Sequence, residues 1–304
     1  MQLSNPIFHD ETAARKHLEA LRWPGGAICP YCGQQETVKD LGGKSMGDGW
    51  YHCGDCRRKF TVRVGTIFER SHIPLTKWLL GFRLMASSKK GISAHQLGRT
   101  LEITYKSAWF MAHRIREAMK DTDTTPLGGE GKIVESDETW VGGKEGNKHR
   151  DKKSTAENPI RKAPVVSLVE RGGKVRSFHV PEVTAKNVGV ILHSQVCKKT
   201  RIMTDEASVY TSKVTGDFAG HETVNHSKDE YVRGDAHTNT VENYFSLLKR
   251  GIIGTFHHVS QQHLARYVTE FDFRYNTRKI TDGERTAVAL KGIEGKRLTY
   301  RQAG

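Results

Sequence analysis

Long hydrophobic segments are missing from this sequence. None of its apolar runs approaches the roughly 20 residues that a membrane-spanning helix requires, and the opening residues Met1-Gln2-Leu3-Ser4 do not begin a secretory signal peptide. Internal repeats and low-complexity tracts are missing as well. With 36% hydrophobic residues over 304 positions, we expect a soluble, cytoplasmic chain without membrane contact, folded into two or three domains.

Acidic residues are in short supply relative to basic ones. The chain has 34 Asp and Glu against 48 Lys and Arg, which gives a formal net charge of +14. Such an excess favours a polyanionic partner. Charge alone does not distinguish DNA from RNA, or specific from non-specific binding.

Cysteine is scarce too, but its spacing is informative. Four of the five cysteines form two C-x2-C pairs, Cys29 with Cys32 and Cys53 with Cys56, separated by twenty residues. Two such pairs at this separation predict a tetrahedral four-thiolate zinc site, as in a zinc ribbon. Four thiolates leave no open coordination position, so the predicted zinc is structural. We assign residues 1–66 to an amino-terminal helix and this ribbon.

The following residues, 67–120, have a helical pattern. A short helix opens with Ser93 and ends near Leu101, and a tight connection leads into a second helix from Tyr105 to Met119. This is helix-turn-helix geometry, although other helical hairpins have similar patterns. The second helix carries three residues that we predict to contact DNA: Lys106, Arg114 and Arg116.

A linker at residues 121–131 precedes a change of pattern. Over residues 132–304 we predict a strand, a β-hairpin, a helix and a further strand, followed by helices. The first strand covers 132–136, and the later one covers 202–204. A basic loop runs from Lys144 to Lys162 and is well placed to hold a DNA backbone, although a charge run is usually a solvated face.

Three carboxylates stand out in this last region. Asp137 and Asp205 each follow a short apolar run typical of a buried strand, and Glu242 lies at the edge of an apolar helical stripe. Mg²⁺ prefers hard carboxylate oxygens, and a two-metal phosphoryl-transfer site needs several of them from separate elements. Each residue also has a simpler interpretation, as a strand end, a turn, or a helix cap box with Asn239.

At this point the sequence resembles the insertion-sequence transposases of the DDE kind, which have an RNase-H-like catalytic core. The resemblance rests on Asp137, Asp205 and Glu242 in that order, with 36 residues between the second and third, and on Lys249 seven positions later. The surrounding run from His237 to Ser246 and the later run 271–276 are similar to that family's core.

The resemblance implies a metal triad of Asp137, Asp205 and Glu242 that binds two Mg²⁺ or Mn²⁺ ions. It also implies that Lys249, with Arg250 beside it, contacts DNA near the cleaved phosphate. Asn239 and Asn243 remain alternatives for the third ligand. They are less favoured because a neutral amide binds Mg²⁺ more weakly than a carboxylate.

The resemblance further implies a multidomain α+β protein with a zinc ribbon, a helix-turn-helix region and an RNase-H-like mixed sheet with flanking helices. The expected activity is metal-dependent cleavage of element ends and strand transfer into target DNA. We expect a homodimer or a larger complex on DNA, associated with the nucleoid when bound. A non-catalytic DNA-binding regulator and a plain RNase-H-type nuclease remain alternative functions.

Overall fold

The structure, a computed structural model, describes residues 2–42, 46–142, 162–228, 230 and 232–299. Its α-helices are α1 (Glu11–Arg22), α2 (Leu75–Ser87), α3 (Ala94–Leu101), α4 (Tyr105–Ala118), α5 (Ala185–Gln195), α6 (Ser212–Thr215), α7 (Asn239–Gly251), α8 (Gln261–Asn276) and α9 (Asp282–Lys291). Its β-strands are β1 (Val38–Asp40), β2 (Tyr51–Cys53), β3 (Lys59–Phe60), β4 (Ile133–Val141), β5 (Ala163–Glu170), β6 (Val175–His179), β7 (Arg201–Thr204) and β8 (Gly220–Thr223).

These elements form two compact units, one of residues 1–120 with 280–304 and one of residues 121–279. No described helix is both long and apolar enough to span a membrane. From the sequence we expect residues 280–304 at the end of the catalytic domain, whereas α9 packs in the first unit. The reason is that Leu290 and Ile293 are buried there, and that Arg285 donates a hydrogen bond of 3.1 Å to the carbonyl of Ala86.

The first unit begins with α1 and a small antiparallel sheet in the order β1-β2-β3. Helix α1 starts after Asp10, whose carboxylate accepts a hydrogen bond of 2.8 Å from the backbone N–H of Thr12. The ring of Trp23 packs edge-on against Tyr51 and Phe60 of the sheet, with ring centroids 5.5 and 5.8 Å apart. These aromatic contacts give the ribbon a small core of its own.

The same unit contains the predicted helical hairpin of α3 and α4. Ser93 caps α3 by accepting a hydrogen bond from the N–H of Gln96, and Thr104 caps α4 in the same way from Ser107. The turn between them places Glu102 in the left-handed region, with φ of 51°. Gly98 lets the turn come close, because a β-carbon at that position would lie 3.1 Å from the carbonyl of Ile103.

The second unit is built on a five-stranded mixed sheet in the order β6-β5-β4-β7-β8. The β4-β5 and β5-β6 pairs are antiparallel, and the β4-β7 and β7-β8 pairs are parallel. Both faces are covered, so β5 is buried along nearly its whole length. One face packs on α5, and the other packs on α7 and α8. This mixed β-sheet with flanking helices gives the unit the α+β fold that we expect from the sequence.

Strand β8 was not predicted. The sequence predicts no strand after the one at 202–204, but Gly220–Thr223 pairs in parallel with β7 over four residues. The Gly-His-Glu-Thr sequence of this strand has no apolar alternation. Because β8 lies at the edge of the sheet, it pairs through its backbone and does not need that alternation.

Candidate active site

Asp137 lies within β4, the central strand of the larger sheet. The side chain is partly buried, and its Oδ1 accepts a hydrogen bond of 2.6 Å from the N–H of Glu138. Burial, together with the negative charge of Asp205 and smaller effects of Glu138 and Glu242, raises the pKa of Asp137 to about 8. The N–H of Glu138 opposes this rise. The carboxyl group therefore holds a proton near neutral pH in the metal-free protein.

Asp205 follows the end of β7, the parallel neighbour of β4. Glu135 pairs with Met203 in the sheet register, and two residues further along each chain come Asp137 and Asp205. The Oδ1 atom of Asp205 accepts a hydrogen bond of 3.1 Å from the N–H of Ala207. Parallel pairing thus explains why two aspartates 68 positions apart act electrostatically on each other.

Glu242 lies in the first turn of α7. The helix buries an apolar stripe that consists of Val241, Tyr244, Phe245 and Leu248, as the sequence predicted. Glu242 itself is exposed at the edge of this stripe, and its Oε1 accepts a hydrogen bond of 2.9 Å from Thr238 Oγ1. Its negative charge contributes to the raised pKa of Asp137. Helix α7 therefore places the third carboxylate close enough to Asp137 for the two charges to interact.

The other residues predicted on α7 are also exposed. Lys249 and Arg250 lie in its last turn, and the Nε of Arg250 donates a hydrogen bond of 3.1 Å to the carbonyl of Ser246. Asn239 and Asn243, the alternative third ligands, are exposed as well. Burial therefore does not separate these asparagines from Glu242, and of the three residues only Glu242 carries a charge, which acts on Asp137.

Sequence reasoning missed Glu135, two residues before Asp137 on the same strand face. Glu135 is fully buried, and its carboxylate accepts hydrogen bonds from the backbone N–H groups of Thr240 and Val241 at the start of α7. The spacing Glu-x-Asp within a strand was the available signal, because residues i and i+2 of a strand share a face. Taken alone, that signal does not identify α7 as the partner.

Sequence reasoning also missed Glu138, on the opposite strand face from Asp137. The hydroxyl of Tyr210 donates a hydrogen bond of 2.9 Å to Glu138 Oε2 and lies 3.0 Å from Ser136 Oγ. Burial, followed by the charge of Asp205, raises the pKa of Glu138, while the Tyr210 hydroxyl lowers it. Because Tyr210 lies on the segment after Asp205, these contacts fasten that segment to the strand of Asp137.

The arrangement of the acidic residues favours a bound cation, because their negative charges repel one another. Oxygen ligands from a strand, a strand end and a helix suit Mg²⁺ or Mn²⁺. A cation would offset both the burial and the repulsion that raise the pKa of Asp137. Within the described ranges, the four cysteines form the only group of three or more His, Cys, Asp or Glu side chains whose ligand atoms all lie within 4.8 Å of one another. A single ion bound by all three carboxylates would therefore have to draw them closer together.

The cysteine cluster is the second site that fits a metal. Cys29 Sγ lies 3.6 Å from Cys56 Sγ, and Cys32 Sγ lies 3.5 Å from Cys53 Sγ. Four thiolates about 2.3 Å from a tetrahedral zinc ion would lie slightly under 4 Å apart. The predicted zinc ligands are therefore together, in a geometry that fits structural zinc.

Two of the predicted DNA contacts in α4 are wrong. Arg114 is 6% exposed, and its guanidinium donates hydrogen bonds to the carbonyls of Ile67, Glu69 and Leu298. Arg116 is 2% exposed. Both side chains are therefore enclosed within the first unit, where a phosphate does not reach them, whereas Lys106 is exposed at the start of α4. The basic loop of the sequence analysis lies almost wholly outside the described residues, which resume at Lys162.

Comparisons with known proteins give matches for both the region of the three carboxylates and the zinc-ribbon region. The family model of the ISXO2-like transposase domain matches residues 126–276, and that of the transposase zinc-ribbon domain matches residues 9–59. An uncharacterized protein in transposable element ISH50 of Halobacterium salinarum is 29% identical over 277 residues, which cover 88% of this chain and 91% of that protein.

A solved structure, the Mos1 transposase paired-end complex with left transposon end, matches over 72% of this chain and 80% of that chain. Its sequence identity is 13% and its TM-score is 0.20.

Proposed function

The chain belongs to the insertion-sequence transposases that carry an amino-terminal zinc ribbon, and from this premise we propose that it cleaves DNA at element ends and joins those ends to target DNA with the help of two metal ions. The observation that carries the proposal is the electrostatic link of Asp205 and Glu242 to Asp137. Burial and the negative charges of Asp205 and Glu242 raise the pKa of Asp137, and a group of carboxylates in which one pKa is shifted in this way suits a divalent cation.

The chain's own residues would position the reacting groups. Asp137, Asp205 and Glu242 would hold two Mg²⁺ or Mn²⁺ ions, and these would activate the attacking oxygen and stabilise the leaving oxygen. Asp137 would release the proton that it holds in the metal-free protein. Lys249 and Arg250, exposed on the last turn of α7, would neutralise phosphates next to the cleaved bond.

The reaction would take place in two displacements. In the first, a water oxygen attacks the phosphorus at the element end, and the 3′-oxygen leaves as a hydroxyl group. In the second, that hydroxyl attacks a phosphorus of the target strand, a new phosphodiester bond forms, and the target's own phosphodiester bond breaks. Positioning and charge neutralisation supply most of what such transfers require.

The first unit would bind the element ends through the exposed part of the helical hairpin. Lys106 is exposed near the start of α4, beside Tyr105, whose ring stacks on that of His95 at 4.2 Å between centroids. Arg99 is exposed on α3. In helix-turn-helix proteins, the first residues of the second helix contact the bases. The burial of Arg114 and Arg116 therefore moves the expected DNA surface to the amino-terminal end of α4.

We also infer a homodimer or larger complex on DNA, because the two element ends must be joined in one reaction. Since its proposed substrate is genomic DNA, we infer that the protein acts in the cytoplasm and lies at the nucleoid when it is bound to DNA. Sedimentation of the protein with end DNA tests the first inference. A monomer on paired ends would contradict it.

The proposed reaction is tested by cleavage of labelled DNA that carries the element ends, with Mg²⁺ or Mn²⁺ present. Asp137→Asn, Asp205→Asn and Glu242→Gln keep the shape of each side chain but remove its charge. Each should abolish cleavage while end binding persists, because binding belongs to the other unit. Asn239→Ala and Asn243→Ala are matched controls on the same helix, and both should cleave.

Other outcomes would refute parts of the proposal. If Glu242→Gln cleaves normally and an Asn variant does not, the third ligand is the asparagine. If all three carboxylate variants cleave normally, the chain is not a two-metal enzyme of this kind.

A further inference from the structure

The start of α7 is fastened to the strand of Asp137 by one buried carboxylate. We propose that Glu135, held by Arg171, is a positioning residue that fixes the first turn of α7, and with it Glu242, relative to Asp137. This inference rests on the proposed function, because it concerns the same metal site. It assigns Glu135 no contact with metal or DNA.

Both carboxylate oxygens of Glu135 are fully used by donors of the protein. Oε2 accepts the backbone N–H groups of Thr240 at 2.8 Å and Val241 at 2.9 Å. Oε1 accepts Thr240 Oγ1 at 2.8 Å and Arg171 Nε at 2.6 Å. Since Glu135 is 0% exposed and makes four hydrogen bonds, its oxygens are not available to a metal ion.

These contacts give α7 a cap that its own residues do not provide. The residue before the helix, Thr238, makes no side-chain capping bond and donates its hydroxyl to Glu242 instead. The first N–H groups of a helix have no partner inside the helix. Glu135, which lies on β4, supplies a hydrogen-bond acceptor for two of these N–H groups. Its negative charge is also favourable at this positive end of the helix dipole.

The arrangement links two proposed ligands by a short path. Glu135 and Asp137 lie on the same face of β4, about 7 Å apart along the strand at the usual rise. Glu242 directly follows Val241, whose N–H is held by Glu135. A displacement of Glu135 would therefore shift Glu242 relative to Asp137 and leave the sheet itself in place.

Arg171, in the turn after β5, completes this set of contacts around Glu135, which we call the clamp. Besides Glu135, its guanidinium donates hydrogen bonds to the carbonyl of Asp235 at 2.7 Å and that of His237 at 2.9 Å. It thus fixes the segment that leads into α7 and neutralises a buried charge that would be costly if left alone. The Nδ1 atom of His237 also lies near this carboxylate, 3.3 Å from Glu135 Oε1.

The test measures Mn²⁺ binding to the full-length protein without DNA, from the electron paramagnetic resonance signal of free Mn²⁺. The set contains the wild type, Glu135→Gln, Glu242→Gln, the double variant of these two, and Asp137→Asn. Residues that orient a ligand typically change metal affinity by about 10- to 100-fold. We expect Glu135→Gln to weaken Mn²⁺ binding within that range. We also expect the double variant to bind like Glu242→Gln alone, because Glu135 acts through Glu242.

Two results would overturn the proposal while the metal site stands. One is a Glu135→Gln variant that binds Mn²⁺ like the wild type while Glu242→Gln binds weakly. The other is full additivity in the double variant, which would mean that Glu135 acts independently of Glu242. If neither Glu242→Gln nor Asp137→Asn changes Mn²⁺ binding, the proposed function itself fails, and this inference fails with it.

A matched control separates positioning from general stability. Glu170, on the neighbouring strand β5, also accepts a backbone N–H, from Gly128 at 2.9 Å, and a cationic donor, Lys132 Nζ, at 2.7 Å. Glu170→Gln should leave Mn²⁺ affinity unchanged. If Glu135→Gln does not fold, Arg171→Gln loosens the same clamp from a side chain that is 20% exposed. It should weaken Mn²⁺ binding in the same non-additive way, and wild-type affinity in that variant would overturn the proposal.

Discussion

Replacing Asp137 with Asn should stabilise the metal-free protein at alkaline pH. The pKa of Asp137 is raised from 3.8 to about 8, so the folded state binds a proton that the unfolded state releases. Stability contributed by the protonated group is complete below about pH 4 and is lost as pH rises through 8. Asn keeps an oxygen that can accept the N–H of Glu138 and carries no charge.

The magnitude follows from this difference in pKa. Each pKa unit corresponds to about 1.4 kcal/mol, so complete ionisation would cost at most about 5–6 kcal/mol. Asp137 is only partly buried, and solvent screening reduces the cost, so we expect about 2–3 kcal/mol. In a unit of this size that corresponds to about 4–10 °C in the midpoint of thermal unfolding.

The assay is thermal unfolding in chelator at pH 4 and pH 8.5, repeated at pH 8.5 with Mg²⁺. The Asn variant should exceed the wild type at pH 8.5, match it at pH 4, and gain less from Mg²⁺. Asp123→Asn is the control of opposite sign, since a hydrogen bond from Lys174 lowers the pKa of Asp123, and this variant should lose stability at pH 8.5. An equal gain for Asp137→Asn at both pH values would refute the electrostatic reasoning.

Three further predictions concern the first unit. Lys106→Ala should weaken binding to end DNA and lower the salt dependence, the slope of log K against log [salt], by about one, with unchanged thermal stability. Arg114→Ala should instead destabilise the unit by about 2–4 kcal/mol, because three carbonyls lose their donor; normal stability with lost DNA binding would show that the burial argument is wrong. Elemental analysis should find one zinc ion per chain, absent in Cys29→Ser, and a chelator should unfold the ribbon while residues 121–279 stay folded; a zinc-free wild type that remains folded would rule out the metal site.

Local signals in the sequence were sufficient for much of the fold. The zinc ligands follow from two C-x2-C pairs, and the start of α3 follows from the cap at Ser93. The apolar stripe of α7 predicted both the helix and its buried face. In these cases the partners lie within one element or one motif, so short-range spacing fixes them.

Other features depend on partners distant in sequence and were not predictable in the same way. Arg114 is enclosed because it reaches the carbonyl of Leu298, and no periodicity in α4 indicates this contact. Glu135 forms its contacts with residues 105 and 106 positions away. Charged side chains were therefore interpreted as DNA ligands where tertiary packing uses them to satisfy backbone groups.

The most direct test of the two-metal proposal is anomalous X-ray diffraction from crystals of the protein with end DNA and Mn²⁺. The account predicts two anomalous peaks about 3.5–4 Å apart, with carboxylate oxygens of Asp137, Asp205 and Glu242 as ligands. The absence of peaks at these residues, or ions held by other side chains, would contradict it.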